Sequence, residues 1–169
     1  MTDQTIAPPR GRLRPFSKSL PMALLRARES VMRHFRPALR HFGITEQQWR
    51  VLRALQDTEL EITALAVATH LLAPSLSRIL QDLEQRGLVK RRTSAEDMRR
   101  SLVSVSAEGA ELLTGVGGYS EAIYGQLAAR LGAERLQTLL QLLKDLEGDL
   151  NEGPPIADQF DFTEPSERK

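Results

Sequence analysis

Cysteine is absent from the 169 residues, and with it go a disulfide scaffold, a thiol redox sensor and a thiolate zinc site. Histidine is scarce. Of His34, His41 and His70, the first two lie two helical turns apart, too far to chelate one ion directly, so no metal site is expected. No stretch approaches the roughly 18 consecutive apolar residues of a membrane helix. Residues 1–19 carry Arg10, Arg12, Arg14 and Lys18 but no apolar segment of the kind a secretory signal needs; a soluble cytoplasmic protein away from membranes is the expectation. Internal repeats are missing too, as is a nucleophile–base pair. Gly115-Val116-Gly117-Gly118 is no phosphate loop, since it follows no strand and precedes no Walker lysine. Neither an enzyme nor a cofactor is expected.

What is present suffices for one domain with ragged ends and a sizeable core, with 41% hydrophobic residues. The charge is lopsided. The formal net charge is +1, but residues 1–100 hold 18 basic and 10 acidic side chains, a balance of +8, while residues 101–169 hold 5 and 12, a balance of −7. Such a split suggests that the first hundred residues face a polyanion, although charges also cluster by chance on solvated faces.

The periodicity is mostly helical. Residues 1–18, rich in Pro and Arg, form an expected flexible basic arm, and residues 151–169, acidic with Pro154, Pro155 and Pro165, an expected disordered tail. A long helix is predicted over residues 20–42, kinked near Pro37 and ended by Gly43. At about 100° per residue, Leu24, Val31, Phe35, Leu39 and Phe42 share one arc, and Arg28 projects into it. The next helix starts at Thr45, where Thr45-Glu46-Gln47-Gln48 matches a capping box and Ile44 with Trp49 a hydrophobic staple; Val51, Leu52 and Leu55 extend its buried face. A short helix with Leu65, Ala66 and Ala68 follows near Thr63.

Pro74 and Gly87 then bracket a helix with Leu76, Ile79, Leu80 and Leu83 on one side and Pro74, Ser77, Arg78, Gln81 and Gln85 on the other. An apolar back and a front of short polar residues plus arginine suit a helix that reads base edges. The period next changes to that of strands, at residues 88–92 and 101–105, joined by a polar connection too long for a tight hairpin. Together these make a helix-turn-helix followed by a β-wing. Ser106 can cap the next helix, where Gly115, Gly117 and Gly118 predict a bend or break. The last, over residues 133–150, has a leucine stripe too wide for a lone terminal helix, which implies a second copy of the chain as partner.

Three segments, Leu72-Ala73-Pro74-Ser75-Leu76-Ser77-Arg78, Leu83-Glu84-Gln85-Arg86-Gly87-Leu88-Val89 and Glu96-Asp97-Met98-Arg99-Arg100, resemble the MarR family of winged-helix regulators over roughly residues 20–150. A narrower likeness is carried by Ser19-Leu20-Pro21-Met22, Leu25-Arg26-Ala27-Arg28-Glu29 and His41-Phe42-Gly43-Ile44-Thr45-Glu46-Gln47-Gln48-Trp49-Arg50. These are similar to the branch of that family that represses operons for homoprotocatechuate (4-hydroxyphenylacetate) degradation. Ala73 departs from the pattern, standing where relatives often have a capping serine. The resemblance implies a mainly α fold with a small antiparallel β-wing. It places a DNA-binding lobe at about residues 45–105 and dimerisation helices at about 20–42 and 106–150. It further implies a homodimeric repressor on a pseudo-palindromic DNA duplex, released by a small aromatic acid.

The candidate DNA-binding residues are Ser75, Ser77, Arg78 and Gln81 on the recognition helix and Arg92, Arg99 and Arg100 on the wing. By the resemblance, Asp97 pairs with Arg99 to shape the wing tip. The alternatives are an ordinary amphipathic surface helix and a solvated hairpin; for Arg10, Arg12 and Arg14 of the arm the choice is DNA contact or disorder without function. For an effector, Arg28 leads, because a charge on an apolar face needs a partner. An aromatic carboxylate held by two bonds would serve, and so would an internal Asp or Glu. Gln48 also lies on an apolar face, though the capping box accounts for it, and Trp49 suits the core as well as a ligand platform. Arg26 and His41 are included for their positions beside these residues. A regulator of efflux or stress genes without a ligand, and a winged helix used for protein interaction, are the competing functions.

Overall fold

The structure, a computed structural model, describes residues 13–93 and 100–160. The expected wing-tip residues Asp97 and Arg99, the arm residues Arg10 and Arg12, and the end of the acidic tail lie outside the described residues. The element order is α1 (Leu20–His41), α2 (Glu46–Ala54), β1 (Leu60–Glu61), α3 (Ile62–Thr69), α4 (Ala73–Gln85), β2 (Val89–Thr93), β3 (Ser101–Val105), α5 (Ala107–Leu131) and α6 (Ala133–Asn151). Among the described residues no single helix is long and apolar enough to cross a membrane.

Three helices end in the same way, which fixes the turns that follow α1, α3 and α4. After α1, Ile44 N–H donates to Leu39 O and Gly43 N–H to Arg40 O, both 3.0 Å. After α4, Leu88 N–H donates to Leu83 O (2.8 Å) and Gly87 N–H to Glu84 O (3.0 Å). These are Schellman motifs whose left-handed residues are Gly43 (φ 64°) and Gly87 (φ 71°), where glycine is free of the Cβ penalty. After α3 the same bonds form, from Leu71 N–H to Ala66 O and from His70 N–H to Val67 O. Here the left-handed residue is His70 (φ 49°), an uncommon conformation for a side chain with a Cβ. From this turn α3 and α4 diverge at 107°, within the range of helix-turn-helix pairs.

The core is aliphatic. Val51, Leu52 and Leu55 of α2, Leu65 of α3, Leu76, Leu80 and Leu83 of α4, and Val103 of β3 are almost wholly buried in one cluster. Ile79 packs against them while still partly exposed. The sheet is antiparallel in the order β1-β3-β2, with Val89 opposite Val105 and Leu60 opposite Val103. The wing strands agree with expectation to within one residue. β1 was not expected, since two residues are too few to show an alternation.

The break expected at Gly115, Gly117 and Gly118 does not occur, because α5 runs unbroken from Ala107 to Leu131. A Cβ on Gly115 would lie 2.7 Å from Phe42 Cε1, so this glycine admits an aromatic ring rather than interrupting the helix. Ser106 caps α5 as expected: its Oγ accepts from Gly109 N–H (3.0 Å) and donates to Gly87 O (2.5 Å). The N-cap of α4 is Leu72 rather than Ala73, and no side chain caps it. Two corrections fall at the ends. A 3-10 turn occupies Phe16–Lys18 in the expected flexible arm. In the expected disordered tail, α6 extends through Asn151 and a second 3-10 turn occupies Ile156–Gln159.

The described chain divides into two compact units, residues 25–126 and the two ends, 13–24 with 127–160. In the second unit, α6 leaves Leu139, Leu140, Leu142, Leu143 and Leu150 exposed in the single chain.

The glycines of α5 give a packing test. A Cβ at Gly109 would stand 2.1 Å from the Leu88 carbonyl oxygen, whereas at Gly117 nothing lies within 4 Å. Gly109→Ala is expected to destabilise by about 2 kcal/mol or more through the forced backbone shift, and Gly117→Ala to stabilise by about 0.5–1 kcal/mol as a helix-interior replacement. Urea unfolding of both variants checks this, and equal effects would show that the Leu88–Gly109 contact is not tight.

Candidate nucleic-acid interface and adjoining cavity

Ser75, Ser77, Arg78 and Gln81 are exposed on α4, opposite Leu76, Leu80 and Leu83. The structure therefore gathers the expected recognition residues on one solvent face. At the wing root, Arg92 and Arg100 are exposed and each meets a carboxylate. Arg92 Nε donates to Glu59 Oε2 (2.9 Å), with a second bond from Nη2 to Oε1, and Arg100 Nη1 donates to Glu61 Oε1 (2.9 Å). The bond from Arg92 holds the Glu59 carboxyl below its ordinary value, and the bond to Glu59 raises Arg92. These pairings run through β1 and the residue before it, the element absent from the sequence reading.

The partner of Arg28 is internal. Arg28 Nη1 donates to Glu29 Oε1 (2.7 Å) and Nη2 to Glu46 Oε2 (2.5 Å), while Arg36 Nη2 donates to Glu29 Oε2 (2.6 Å) and Arg36 Nε to Glu46 Oε1 (2.5 Å). Two guanidiniums and two carboxylates alternate in a closed ring that joins α1 to the first turn of α2. Burial pushes the Glu46 carboxyl up, but bonds from Arg36 and Arg28 outweigh it and leave the group below its ordinary value. Hydrogen bonds to Glu29 and Glu46 raise Arg36 in turn. Arg36 escaped the sequence analysis, and the spacing Glu29 to Arg36, two turns on one helix, is the signal that could have found it.

Arg28 also lines a cavity of about 290 Å³ with Met32, Glu46, Trp49, Arg50 and Arg53. Trp49, the chain's one tryptophan, packs with Ile44 and Leu39 on one side. The Arg53 guanidinium carbon lies 5.7 Å from the Trp49 ring centre. The arginines differ in how their charge is met. Arg28 has two carboxylates, whereas Arg53 donates to the neutral Gln56 Oε1 (2.7 Å) and Arg50 to the neutral Thr69 carbonyl (2.8 Å). The positive potential in the cavity therefore comes chiefly from Arg50 and Arg53, neither singled out from sequence, where they look like the polar face of α2. A cavity with cations, an aromatic wall and a thioether suits a small aromatic anion.

The remaining candidates lie elsewhere. Gln48 is buried and wholly engaged: its Oε1 accepts from Thr45 N–H (2.8 Å) and its Nε2 donates to Asp82 Oδ2 on α4 (2.6 Å). It lines a separate hollow of about 390 Å³ with Ser75, Arg78 and Asp82. His41 stacks edge-on with Phe42 (5.1 Å) and lies 6.0 Å from the Tyr119 ring. Arg26 is exposed on α1. None of these three lines the cavity beside Arg28.

The chain is similar in sequence and fold to known proteins. A MarR family profile matches residues 42–100. The homoprotocatechuate degradative operon repressor of Escherichia coli is 38% identical over 128 residues, 75% of this chain and 86% of the relative. Two solved structures superpose well. NadR in complex with 4-hydroxyphenylacetate has a TM-score of 0.70 at 36% identity, with 82% of this chain and 96% of that one covered. The repressor CouR bound to a 23-mer DNA duplex has a TM-score of 0.73 at 26% identity, with 81% and 99% covered.

The arginine–glutamate ring sets a pH dependence. Because the folded Glu46 carboxyl lies below its ordinary value of 4.5, its contribution is present above that value and is lost as the pH falls through the lowered folded value. Glu46→Gln is expected to cost about 1–2 kcal/mol at neutral pH, a gap that narrows as the pH falls below 4.5 and the carboxyl is protonated. Urea midpoints of wild type and variant across that range measure it; a gap constant with pH would assign the loss to packing instead.

Proposed function

Because the chain belongs to the MarR family of transcriptional regulators, we propose that it is a dimeric winged-helix repressor of an aromatic-acid catabolic operon, released from DNA when a small phenolic acid enters the cavity on α2. The observation that carries this reading is the placement of α2. It faces the cavity with Glu46, Trp49, Arg50 and Arg53 and grips the recognition helix through the Gln48–Asp82 bond.

Each part has a physical role. On α4, Arg78 can hold a guanine edge by two bonds, Gln81 an adenine edge, and Ser75 and Ser77 phosphates or bases. Arg92, Arg100 and Arg99 supply phosphate or minor-groove contacts from the wing, with Asp97 shaping its tip. The exposed leucines of α6 need a cover, and a second copy of the chain supplies it, which sets two recognition helices about one DNA turn apart on a pseudo-palindrome. In the cavity, a ring can lie against Trp49 and Met32, a carboxylate can take two N–H groups of Arg50 or Arg53, and a phenol hydroxyl can donate to Glu46.

The nearby proteins support the same assignment: one relative is by name a homoprotocatechuate operon repressor, and NadR is solved with 4-hydroxyphenylacetate. A regulator without an effector would leave Arg28 satisfied internally and no open cavity beside it. Arg28 is satisfied internally, but the cavity opens beside it, which favours the liganded reading over a regulator without an effector.

Fluorescence anisotropy with the chain's own upstream DNA, at two salt concentrations and with or without 4-hydroxyphenylacetate, tests the proposal. Salt-sensitive, sequence-selective binding weakened by the acid is the expected result. Arg78→Ala should weaken operator binding about 10- to 100-fold while changing random-duplex binding far less. Operator binding indifferent to the acid would remove the effector from the reading, and equal affinity for random DNA would remove the operator.

A further inference from the structure

Arg50 belongs to two places at once. It lines the cavity with Trp49 and Arg53, and its Nη1 donates to the carbonyl of Thr69 (2.8 Å). Thr69 is the fully buried last residue of α3, and its carbonyl stands at the left-handed turn through His70 that leads into the recognition helix. The Thr69 hydroxyl is directed back to Leu65 O (2.6 Å), so it adds nothing on the α4 side. The turn thus uses histidine where α1 and α4 use glycine, and it is braced from α2 by one guanidinium.

We propose that Arg50 is the positioning residue that passes occupancy of the cavity to the helix-turn-helix. This rests on the effector reading above and adds the route by which the site is regulated. An acid in the cavity offers Arg50 a carboxylate in place of a neutral carbonyl. The guanidinium bond to Thr69 is already charge-assisted, but a carboxylate adds an opposite charge and a second, parallel bond, so the guanidinium swings toward the ligand and the Thr69 carbonyl loses its donor. The turn at His70 then relaxes, and α4 no longer holds the angle that DNA selects. Loss of one such bond amounts to about fivefold in DNA affinity per subunit, about 25-fold through two subunits.

The chain supplies its own reporter, since Trp49 is its only tryptophan and lies in the cavity wall. Trp49 fluorescence of the full-length dimer gives 4-hydroxyphenylacetate occupancy, and operator anisotropy at saturating and zero acid gives the coupling ratio. Arg50→Gln removes the charge that the acid would draw away. Whatever its basal operator affinity, it should saturate at higher acid concentration and show a ratio within about twofold of one. Arg53→Gln should weaken acid binding yet keep the wild-type ratio at saturation. A purely structural role would lower Tm and DNA affinity in Arg50→Gln and leave the ratio unchanged, which overturns the proposal. If Arg50→Gln does not fold, Arg50→Lys, with charge and donor retained, must keep a ratio above about fivefold; a collapse while Trp49 still responds overturns it as well. A wild type whose Trp49 signal and operator affinity both ignore the acid overturns the effector reading, and this inference with it.

Discussion

Nine residues are too few for a helix to be stable in water by itself, so α2 persists only through what holds its ends and faces. Its N-terminus is closed by the reciprocal Thr45–Gln48 capping box and by Glu46 bonded to two arginines of α1. Its apolar face, Val51, Leu52 and Leu55, is sealed in the core against α3 and α4. Gln48 and Arg50 project from it to the recognition helix and to the turn before it. A displacement of α2 by a fraction of a turn would therefore be felt at α4 and at the turn before it, since close-packed interiors transmit strain rather than absorb it.

The arginines of this chain fall into groups with different electrostatic duties. Arg28 and Arg36 are neutralised in the ring with Glu29 and Glu46. Exposed pairs of this sort contribute little to stability one at a time, but four bonds closing on one another hold α1 and the start of α2 in a fixed relation. At the wing root, Arg92 and Arg100 are met by Glu59 and Glu61. Any phosphate they contact must displace a carboxylate or share the guanidinium with it, which lowers non-specific affinity for DNA. Arg78 on α4 is exposed, which the proposed contact with a base edge requires.

Local signals were legible and distant ones were not. Pro74 and Gly87 bracketed the recognition helix, Thr45 and Gln48 announced the capping box, and the leucines of α4 marked its buried side, because each signal lies within a turn or two. The second bond of Gln48 goes to a residue 34 positions away, and Arg28 meets Glu46 18 positions away; no periodicity carries such information. Gly115 misled because propensity describes an isolated helix, whereas here the space a side chain would need is filled by Phe42. The cavity was half legible: Arg28 was found as an odd charge on an apolar face and Trp49 as the staple partner of Ile44. Arg50 and Arg53 passed as a solvated face, while Gln48 was drawn in by its place on an apolar face and His41 and Arg26 by their neighbours in sequence.

A switch of this kind needs its connection to be weak in the right place. Were Thr69 replaced as partner by a carboxylate, Arg50 would be held as firmly as Arg28 is, and a ligand carboxylate would gain nothing by competing for it. Because the present acceptor is a neutral carbonyl, the ligand offers the stronger bond, and the difference is the free energy available to move the turn. The ring around Arg28 serves the opposite purpose. Its charges are already satisfied, so a ligand entering beside it leaves the α1–α2 junction in place. Linkage then requires that DNA, by favouring the turn in which Arg50 holds Thr69, disfavours the acid by the same factor that the acid disfavours DNA. A cavity whose contacts were the same in both positions of the turn would bind the acid equally well on and off the operator and regulate nothing.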